Sequence, residues 1–512
     1  MTESTRRDLL KLSLALAGGA LASRVFSLGQ SANQPNALIL LFDTLTAPHM
    51  SLYGYPRQTT PNLERFAERA TVYHRHYSGG SYTIPGTASI LTGLYPWNHR
   101  AINPSGPVRR DLADKSLFHS VGPDYFRLGF GQNLWADEFI RQFRAGVDEI
   151  IPPDWNAFKN PLLLGKVNPR DPMAFVAFED FLVGGLKLDT PYPGSVTLGI
   201  LDIAAEDGRN TNPDLAKLDP REVSFNEGFY YMNHTVFQGI AQSVSQVASR
   251  APYLAYYHLF SPHGPYAPTR EFSSLFDDGL QVPRKPRHPL IPKKEALPDE
   301  LLDRAARAYD QLIANVDAEF GQLMDGLDSS GALEDTYVIV LSDHGQLFER
   351  GVHGHTSRLM YDQGIRVPLL IRAPGQTERR DVRVPTSNVD LLPTIASLTG
   401  GQTPPEVDGQ ILTGFGGPEA ERPVFCVEAK ESSAFRLLDK ASFVLIRGKY
   451  KLIWYSGYTD KDIVELYDLD ADPLELTNLA KDLDDIRKDM LEELTSARAK
   501  ADEPYATPNE EK

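Results

Sequence analysis

The stretch Asn36-Ala37-Leu38-Ile39-Leu40-Leu41-Phe42 is a continuous apolar run that ends at Asp43. A short run that is apolar at every position is typical of a strand with both faces buried in a sheet. In open α/β sheets, ligands bind beyond the carboxyl ends of such strands. The sequence therefore predicts a buried strand that presents the Asp43 carboxylate to a ligand.

Three later runs repeat this pattern, at residues 253–260, 336–341 and 367–372. The segment 301–327 has apolar residues at helical spacing along one stripe, which predicts a long helix covering the sheet. Alternation of buried strands and helices indicates an α/β fold. The run at 336–341 leads directly into Ser342-Asp343-His344-Gly345, so a second acidic group is expected at the same kind of strand end.

The pattern changes near residue 415, where short strands begin. Two of them, at 442–447 and 450–455, flank Gly448-Lys449 as a hairpin, and a last helix is expected from about Leu483. We predict one large domain over 36–415, with an insertion at about 150–230, and a small α+β subdomain with an antiparallel sheet over 416–512.

Composition excludes several classes of partner. The 512 residues carry a formal net charge of −16, whereas nucleic acids and anionic bilayers attract basic surfaces. Cys426 is the only cysteine, so no intramolecular disulfide forms, and we interpret this residue as part of the packing. A small anionic ester held locally by a metal remains compatible with the net charge.

The amino terminus has the pattern of an export signal. Arg6 and Arg7 precede an apolar run of small residues at 12–22, as in twin-arginine leaders. This run is too short to cross a hydrocarbon core of about 30 Å. We therefore predict a cleaved leader over 1–33, passage through the twin-arginine export machinery, a periplasmic or extracellular location, and no transmembrane segment in the mature chain.

The segment Ser81-Tyr82-Thr83-Ile84-Pro85-Gly86-Thr87-Ala88-Ser89-Ile90-Leu91-Thr92-Gly93 resembles the sulfatase signature, Cys/Ser-x-Pro-x-Arg followed by Leu-Thr-Gly. Sulfatases oxidise the Cys or Ser to formylglycine, but Thr83 stands at that position and Thr87 replaces the arginine. Threonine is not a known substrate of that maturation. What remains is a secondary alkoxide, the nucleophile of phospho-transferring relatives in the alkaline phosphatase superfamily.

Other segments, in the same order along the chain, resemble the sulfatase-like branch of that superfamily. They are Asp43 with Leu52-Tyr53-Gly54-Tyr55-Pro56 and Thr60-Pro61-Asn62-Leu63, Pro262-His263-Gly264-Pro265-Tyr266, Ser342-Asp343-His344-Gly345 with Gly364-Ile365-Arg366-Val367-Pro368, and the carboxy-terminal Glu465-Leu466-Tyr467-Asp468-Leu469. The resemblance implies an α/β/α sandwich with a large mixed, mostly parallel sheet, followed by the small subdomain.

The resemblance also implies a metal site formed by Asp43, Thr83, Asp343 and His344. Unpaired carboxylates at buried strand ends are costly, and a divalent metal would neutralise them. The metal would lower the pKa of the Thr83 hydroxyl and polarise the ester. We expect one ion, with Mn²⁺ or Zn²⁺ favoured over Ca²⁺ or Mg²⁺ by the histidine ligand. Sulfatases commonly have a second Asp where this chain has Thr44.

Three histidines complete the predicted site. His263 occupies the family position of a histidine that contacts the transferred group or protonates the leaving oxygen. His355 matches the position of a sulfatase Lys or His close to the ester, and His353 is a weaker candidate for the same substrate-binding role. Thr83, His263 and His355 are thus the predicted catalytic residues, and His263, His355 and His353 the predicted substrate contacts.

Three functions fit these observations. The first is a metal-dependent hydrolase or transferase of phosphate-type esters that uses Thr83 as its nucleophile. The second is a sulfuric ester hydrolase, similar to arylsulfatases, that works without formylglycine. The third is a non-catalytic binding protein on a degenerate sulfatase scaffold, which the missing arginine and the missing second Asp would explain. The expected substrate is a small-molecule, lipid or glycan ester.

Overall fold

A computed structural model describes residues 34–104, 106–155, 158–159, 224–226, 229–280 and 283–506. The predicted leader over 1–33 and most of the predicted insertion over 150–230 lie outside these residues. Within the described part of the chain, no helix combines the length and apolar content that crossing a membrane would require.

Among the described residues before the last sheet, strands and helices are interspersed. The strands are β1 (Asn36–Phe42), β2 (Thr71–Tyr73), β3 (His76–Tyr77), β4 (Phe126–Gly131), β5 (Glu149–Ile151), β6 (Phe158–Lys159), β7 (Ser224–Asn226), β8 (Phe229–Tyr231), β9 (Tyr253–Leu259), β10 (Thr336–Leu341), β11 (Leu347–Glu349), β12 (Val352–Gly354), β13 (Leu369–Arg372), β14 (Arg380–Val382), β15 (Thr386–Ser387), β16 (Val424–Glu428), β17 (Ala441–Arg447), β18 (Tyr450–Ser456) and β19 (Ile463–Asp468). The α-helices are α1 (Pro61–Ala67), α2 (Thr83–Thr92), α3 (Pro96–His99), α4 (Leu117–Ser120), α5 (Leu134–Gln142), α6 (Asn233–Val247), α7 (Asp299–Ser329), α8 (Asp362–Ile365), α9 (Leu391–Leu398) and α10 (Asp484–Asp502).

The central sheet has eight strands in the order β14-β2-β13-β10-β1-β9-β4-β5. Strand β1 lies between β10 and β9 and is parallel to both, and β4 is parallel to β9 and β5. Strand β13 is antiparallel to its neighbours β10 and β2. This confirms the expected large mixed, mostly parallel sheet, and the strand with which the sequence argument began lies near its centre.

Both faces of the sheet are covered, as the unbroken apolar run in β1 requires. Alternate β1 residues enter opposite cores: Leu38 and Leu40 pack with α6 and α7, whereas Ile39 and Leu41 pack with α2, α5 and α9. All four side chains are fully buried or nearly so. The predicted long helix is confirmed as α7, which extends two residues beyond the prediction at each end.

The last strands form a separate antiparallel sheet in the order β16-β17-β18-β19, which includes the predicted hairpin. Helix α10 covers one face, where Met490 packs, and the other face packs against residues of the first domain such as Tyr361. Strand β16 also reaches the segment that precedes Thr83, because Val427 N–H donates to Gly79 O at 2.8 Å. The boundary at residue 415 stays a prediction.

Candidate active site

The site forms where three neighbouring strands reach the same edge of the central sheet. Leu41 of β1 is opposite Leu341 of β10 on one side and opposite His258 of β9 on the other. Asp43 and Asp343 each follow within two residues of that level. Because the strands are parallel, their carboxyl ends coincide, and two carboxylates and an imidazole from distant parts of the chain meet in the interior.

Thr83 reaches this edge as the first residue of α2, so its hydroxyl lies at the positive end of the helix. Gly86 allows the close approach: a Cβ at this position would lie 2.4 Å from the carbonyl oxygen of Asp343. The Thr83 Oγ1 consequently lies 3.2 Å from Nε2 of His344. Residues separated by some 260 positions in the sequence are thus brought into direct contact.

Asp43, Asp343 and His344 form a group suited to hold a metal ion. Nε2 of His344 lies 3.3 Å from Oδ1 of Asp43 and 3.5 Å from Oδ2 of Asp343. The ring is oriented by its other nitrogen, since Nδ1–H donates to the Gly345 carbonyl at 2.9 Å. This tautomer leaves the lone pair on Nε2, which can bind a metal.

An observation on unpaired atoms tests whether a metal fits this group. Oδ1 of Asp43 and Oδ2 of Asp343 are fully buried and accept no hydrogen bond from any described residue. Buried polar atoms are normally paired, and an unpaired carboxylate oxygen is the costliest exception. A divalent cation would satisfy both oxygens and the His344 lone pair together, so the residues fit the metal that the resemblance implies.

The electrostatics of the group follow from burial and mutual contact. Burial and the neighbouring Asp43 charge raise the pKa of Asp343 to about 6. Burial would also raise the pKa of Asp43, but the facing His263, His258 and His344 hold it well below its usual value. Burial would lower the pKa of His344, yet the two carboxylates outweigh it and raise that pKa.

The structure adds two residues that sequence reasoning missed. Asn133 donates from Nδ2 to Oδ2 of Asp43 at 2.6 Å, while its Oδ1 caps α5 by accepting from Trp135 N at 2.8 Å. His258 is fully buried, with Nε2 3.7 Å from Asp43 and 3.6 Å from Asp343. Their positions could have identified them, because both residues lie at the carboxyl ends of buried strands: His258 in β9, beside β1, and Asn133 after β4, beside β9.

Thr44, at the position where sulfatases commonly have a second Asp, plays a backbone role. Its φ of 64° lies in the left-handed region. This turn directs its N–H toward Oδ1 of Asp343, at 3.4 Å, and its carbonyl accepts from Tyr309 at 2.6 Å. The Thr44 hydroxyl is buried with no hydrogen-bond partner among the described residues. The chain therefore bends sharply after Asp43 without contributing another carboxylate.

Two of the predicted histidines, His355 and His263, lie in a row beside this group. The ring of His355 is 4.7 Å from that of His344 and 4.9 Å from that of His263, between centroids. Burial, followed by the positive fields of His344 and His263, lowers the pKa of His355 well below its usual value. His263 donates from Nδ1 to the Gly264 carbonyl at 2.6 Å, which leaves its Nε2 free for another partner.

His353 does not join this row but belongs to a chain of hydrogen bonds that supports it. Gln346 accepts from Nδ1–H of His355 at 2.8 Å and donates to the Tyr266 hydroxyl at 2.6 Å. That hydroxyl lies 3.1 Å from Nε2 of His353. Burial lowers the pKa of His353 to about 4, so at neutral pH it accepts the tyrosine proton and holds the chain in place.

Comparisons with known proteins agree with this architecture. A family model described as Sulfatase matches residues 35–120 and 202–401, and a model described as N-sulphoglucosamine sulphohydrolase, C-terminal, matches residues 351–500. The choline-sulfatase of Rhizobium meliloti is 27% identical over 485 residues, covering 88% of this chain and 83% of that protein.

Two further similar proteins are not named as sulfatases. A multifunctional alkaline phosphatase superfamily protein, PehA, of Trinickia caryophylli is 24% identical over 498 residues, covering 87% of this chain and 91% of that protein. The crystal structure of the phosphonate monoester hydrolase of Agrobacterium radiobacter superposes with a TM-score of 0.61 at 20% identity, covering 91% of this chain and 96% of that one. This last likeness establishes the shared fold.

Proposed function

The chain belongs to the sulfatase family, whose members are ester hydrolases of the alkaline phosphatase superfamily, and on this premise we propose that it hydrolyses phosphate-type esters with a divalent metal and Thr83 as nucleophile. The observation that carries the proposal is the position of the Thr83 hydroxyl, 3.2 Å from Nε2 of His344 and beside two buried carboxylates. Threonine retains an alkoxide nucleophile, whereas the formylglycine route starts from Cys or Ser.

Asp43, Asp343 and His344, together with the Thr83 oxygen, would hold the metal. When bound, the ion would lower the pKa of the hydroxyl and stabilise negative charge on the transferred group. Two carboxylates balance the charge of a divalent cation, and the imidazole favours Mn²⁺ or Zn²⁺. The α2 amino terminus adds a positive potential at the same place.

The covalent step follows from these positions. The Thr83 hydroxyl gives its proton to solvent as its oxygen attacks phosphorus, the bond from phosphorus to the leaving oxygen breaks, and the leaving oxygen takes a proton from Nε2 of His263. Water then attacks the phosphothreonine, the bond from phosphorus to the Thr83 oxygen breaks, and that oxygen takes up a proton from solvent, which restores the hydroxyl and releases the phosphate group. His355, kept neutral by its lowered pKa, is suited to accept the proton of that water. Transfer to an acceptor alcohol instead of water would use the same intermediate.

The test uses matched aryl phosphate monoester, phosphodiester and sulfate substrates with Mn²⁺, Zn²⁺, Mg²⁺ or Ca²⁺. Thr83→Val keeps the shape of the side chain but removes the oxygen, so turnover should fall by at least about 10³-fold. Thr83→Ser keeps an oxygen and should retain turnover within about tenfold. Mass spectrometry after acid quenching should detect a phosphate adduct on the peptide that contains Thr83. Full turnover in Thr83→Val would refute the proposal.

A sulfuric ester hydrolase is the second candidate, because relatives at 22 to 27% identity are named as sulfatases, including the choline-sulfatase and an N-acetylgalactosamine-6-O-sulfatase. Their names also support a small-molecule or glycan ester as the substrate. A higher kcat/KM for the sulfate than for the matched phosphate would favour this candidate.

We also propose export by the twin-arginine route to the periplasm or the cell exterior, on the basis of Arg6, Arg7 and the apolar run at 12–22. Fractionation of the producing cells should find a shortened protein outside the cytoplasm. Full-length protein confined to the cytoplasm would contradict this.

A further inference from the structure

His258 is a buried histidine that none of the roles above uses. It belongs to β9, one strand away from Asp43, and its side chain is fully buried. Its Nε2 has no hydrogen-bond partner among the described residues. A buried imidazole nitrogen without a partner is uncommon, because desolvation without a replacement bond costs free energy.

Two unpaired carboxylate oxygens lie in the same small volume. They are Oδ1 of Asp43 and Oδ2 of Asp343. Nε2 of His258 is 3.6 Å from that Asp343 oxygen and 3.7 Å from the other oxygen of Asp43. Each separation is too long for a hydrogen bond. Nε2 of His258 thus lies within 4 Å of an oxygen of each carboxylate without pairing to either, although it is not among the atoms of Asp43, Asp343 and His344 that all lie within 4.8 Å of one another.

We propose that His258 is a further ligand of the divalent metal held by Asp43, Asp343 and His344, with Nε2 as its donor atom. This inference rests on the proposed function, since it assumes that the site holds a metal. It extends that function by adding a second imidazole, from a strand that the three-residue group does not include.

The separations match those between ligands of one ion. Metal–ligand bonds of about 2.1 Å give edges of about 3.4 Å in a tetrahedron and about 3.0 Å in an octahedron. The Nε2 atoms of His258 and His344 lie 3.6 and 3.5 Å from the same oxygen of Asp343. Both separations are close to the tetrahedral edge, and because His258 lies outside the group of atoms within 4.8 Å of one another, its ring would move toward the other ligands on binding the same ion.

The other nitrogen of His258 supports the required tautomer. Nδ1 lies 3.4 Å from the hydroxyl oxygen of Tyr256, which is buried in the same strand. A proton on Nδ1 directed at that oxygen leaves the lone pair on Nε2. Metal-bound histidines commonly donate their second N–H to such a partner, which fixes the ring orientation.

A second imidazole has a consequence for the choice of metal. Two nitrogens and two carboxylates form a mixed set that suits Zn²⁺, Mn²⁺ or Co²⁺, whereas Ca²⁺ and Mg²⁺ prefer oxygen ligands alone. Thr44 stands where sulfatases commonly have a second Asp, so the site lacks that carboxylate as a metal ligand. His258 would provide a neutral nitrogen ligand in its place. The charge of the two carboxylates then remains balanced by one divalent ion.

The direct test counts the nitrogens bound to Mn²⁺ in the full-length wild-type protein. Protein labelled with ¹⁵N only at histidine is loaded with MnCl₂, and electron spin-echo modulation measures the coupled ¹⁵N nuclei. Two directly coordinated histidine nitrogens are expected. One coordinated nitrogen would overturn the proposal. This measurement needs no variant, so a folding defect cannot obscure it.

Variants supply an independent measurement of metal affinity, by competition of Mn²⁺ or Co²⁺ with a chelator. Loss of groups that merely orient ligands costs roughly 10–100-fold in affinity, so His258→Ala should weaken binding by at least about 100-fold. His258→Gln, which preserves more of the volume, should also bind weakly. The exposed His234 in α6 is the matched control, and His234→Ala should bind as wild type. Wild-type affinity in both His258 variants would overturn the proposal.

The outcomes separate this inference from the proposed function. The wild-type protein could bind the metal through one histidine while the Thr83→Val variant loses turnover. This result would support the proposed function and exclude His258 as a ligand. A wild-type protein that binds no divalent ion at all would overturn both.

Discussion

Replacing Asn133 with serine is expected to weaken the metal site while leaving α5 capped. The Asn133 side chain makes two contacts: Nδ2 donates to Asp43 at 2.6 Å, and Oδ1 accepts from Trp135 N at 2.8 Å. Serine is also a good N-cap but is too short to keep the bond to Asp43. Alanine loses both contacts. The pair of variants therefore separates the two roles of one residue.

The magnitude follows from the kind of bond that is lost. A hydrogen bond to a buried carboxylate contributes about 1.5–3 kcal/mol, and the donor in Asn133→Ser is not replaced by water because Asp43 is fully buried. We expect the metal-free Asn133→Ser protein to be destabilised by about that amount. Asn133→Ala should lose about 1 kcal/mol more, for the cap. Metal affinity should fall about 10–100-fold in both, because a ligand loses its orienting partner.

The assay is urea unfolding in the presence of a chelator, combined with competition titration of Mn²⁺. Both variants should have a lower unfolding midpoint, with alanine lower than serine, and similarly reduced affinity for the ion. An Asn133→Ser protein with wild-type stability and wild-type affinity would refute the reasoning, because the Asn133–Asp43 bond would then contribute nothing. Reduced stability with unchanged affinity would limit Asn133 to a structural role.

Two further predictions concern stability away from the metal. Lys451, buried in β18, pairs with Asp362 at 2.9 Å and Glu475 at 2.7 Å. Lys451→Met removes the cation that these two carboxylates share and leaves Asp362 only its longer contact with Arg366, at 3.6 Å. The free energy of unfolding at pH 8 should therefore fall by about 3–5 kcal/mol. A loss below about 1 kcal/mol in urea unfolding would contradict this. Burial lowers the pKa of His76 from 6.5, its value in the unfolded chain, to about 4 in the folded protein. Between pH 6.5 and pH 4 the unfolded chain therefore binds more protons than the folded protein, and the free energy of unfolding falls as the pH drops through this range. The loss of unfolding free energy that His76 causes over this pH range is about 3 kcal/mol at most, and His76→Gln should abolish this pH-dependent loss. Identical pH profiles of the unfolding midpoint in wild type and His76→Gln would show that His76 is not the source.

Much of the fold could be predicted from local patterns. The apolar runs at β1, β9 and β10 carry enough hydrophobic surface to require burial on both faces, and the helical stripe of α7 requires a partner surface. These are properties of neighbouring residues, so the sequence expresses them directly. The acidic ends of β1 and β10 predicted a polar site for the same reason, and the segment around Thr83 did so through its resemblance to the sulfatase signature.

The residues that adjust the site were harder to predict because their role depends on strand order. In the sequence, His258 belongs to an apolar strand and Asn133 to an ordinary helix start. Their roles appear only when β9 lies beside β1 and β4 lies beside β9, which brings both side chains to Asp43. Nothing in the local sequence around either residue specifies that neighbour.

The sequence by itself determined the fold class and the carboxylates at the strand ends, because both depend on residue type and local periodicity, and its resemblance to the sulfatase signature identified Thr83 as the proposed nucleophile. The tertiary structure alone decided the distances: how closely Gly86 lets α2 approach Asp343, which histidines form the row beside Thr83, and that His258 and Asn133 face the metal group. Sheet register and helix packing are collective properties of contacts between distant segments, and a site whose chemistry depends on ångström separations is specified only at that level.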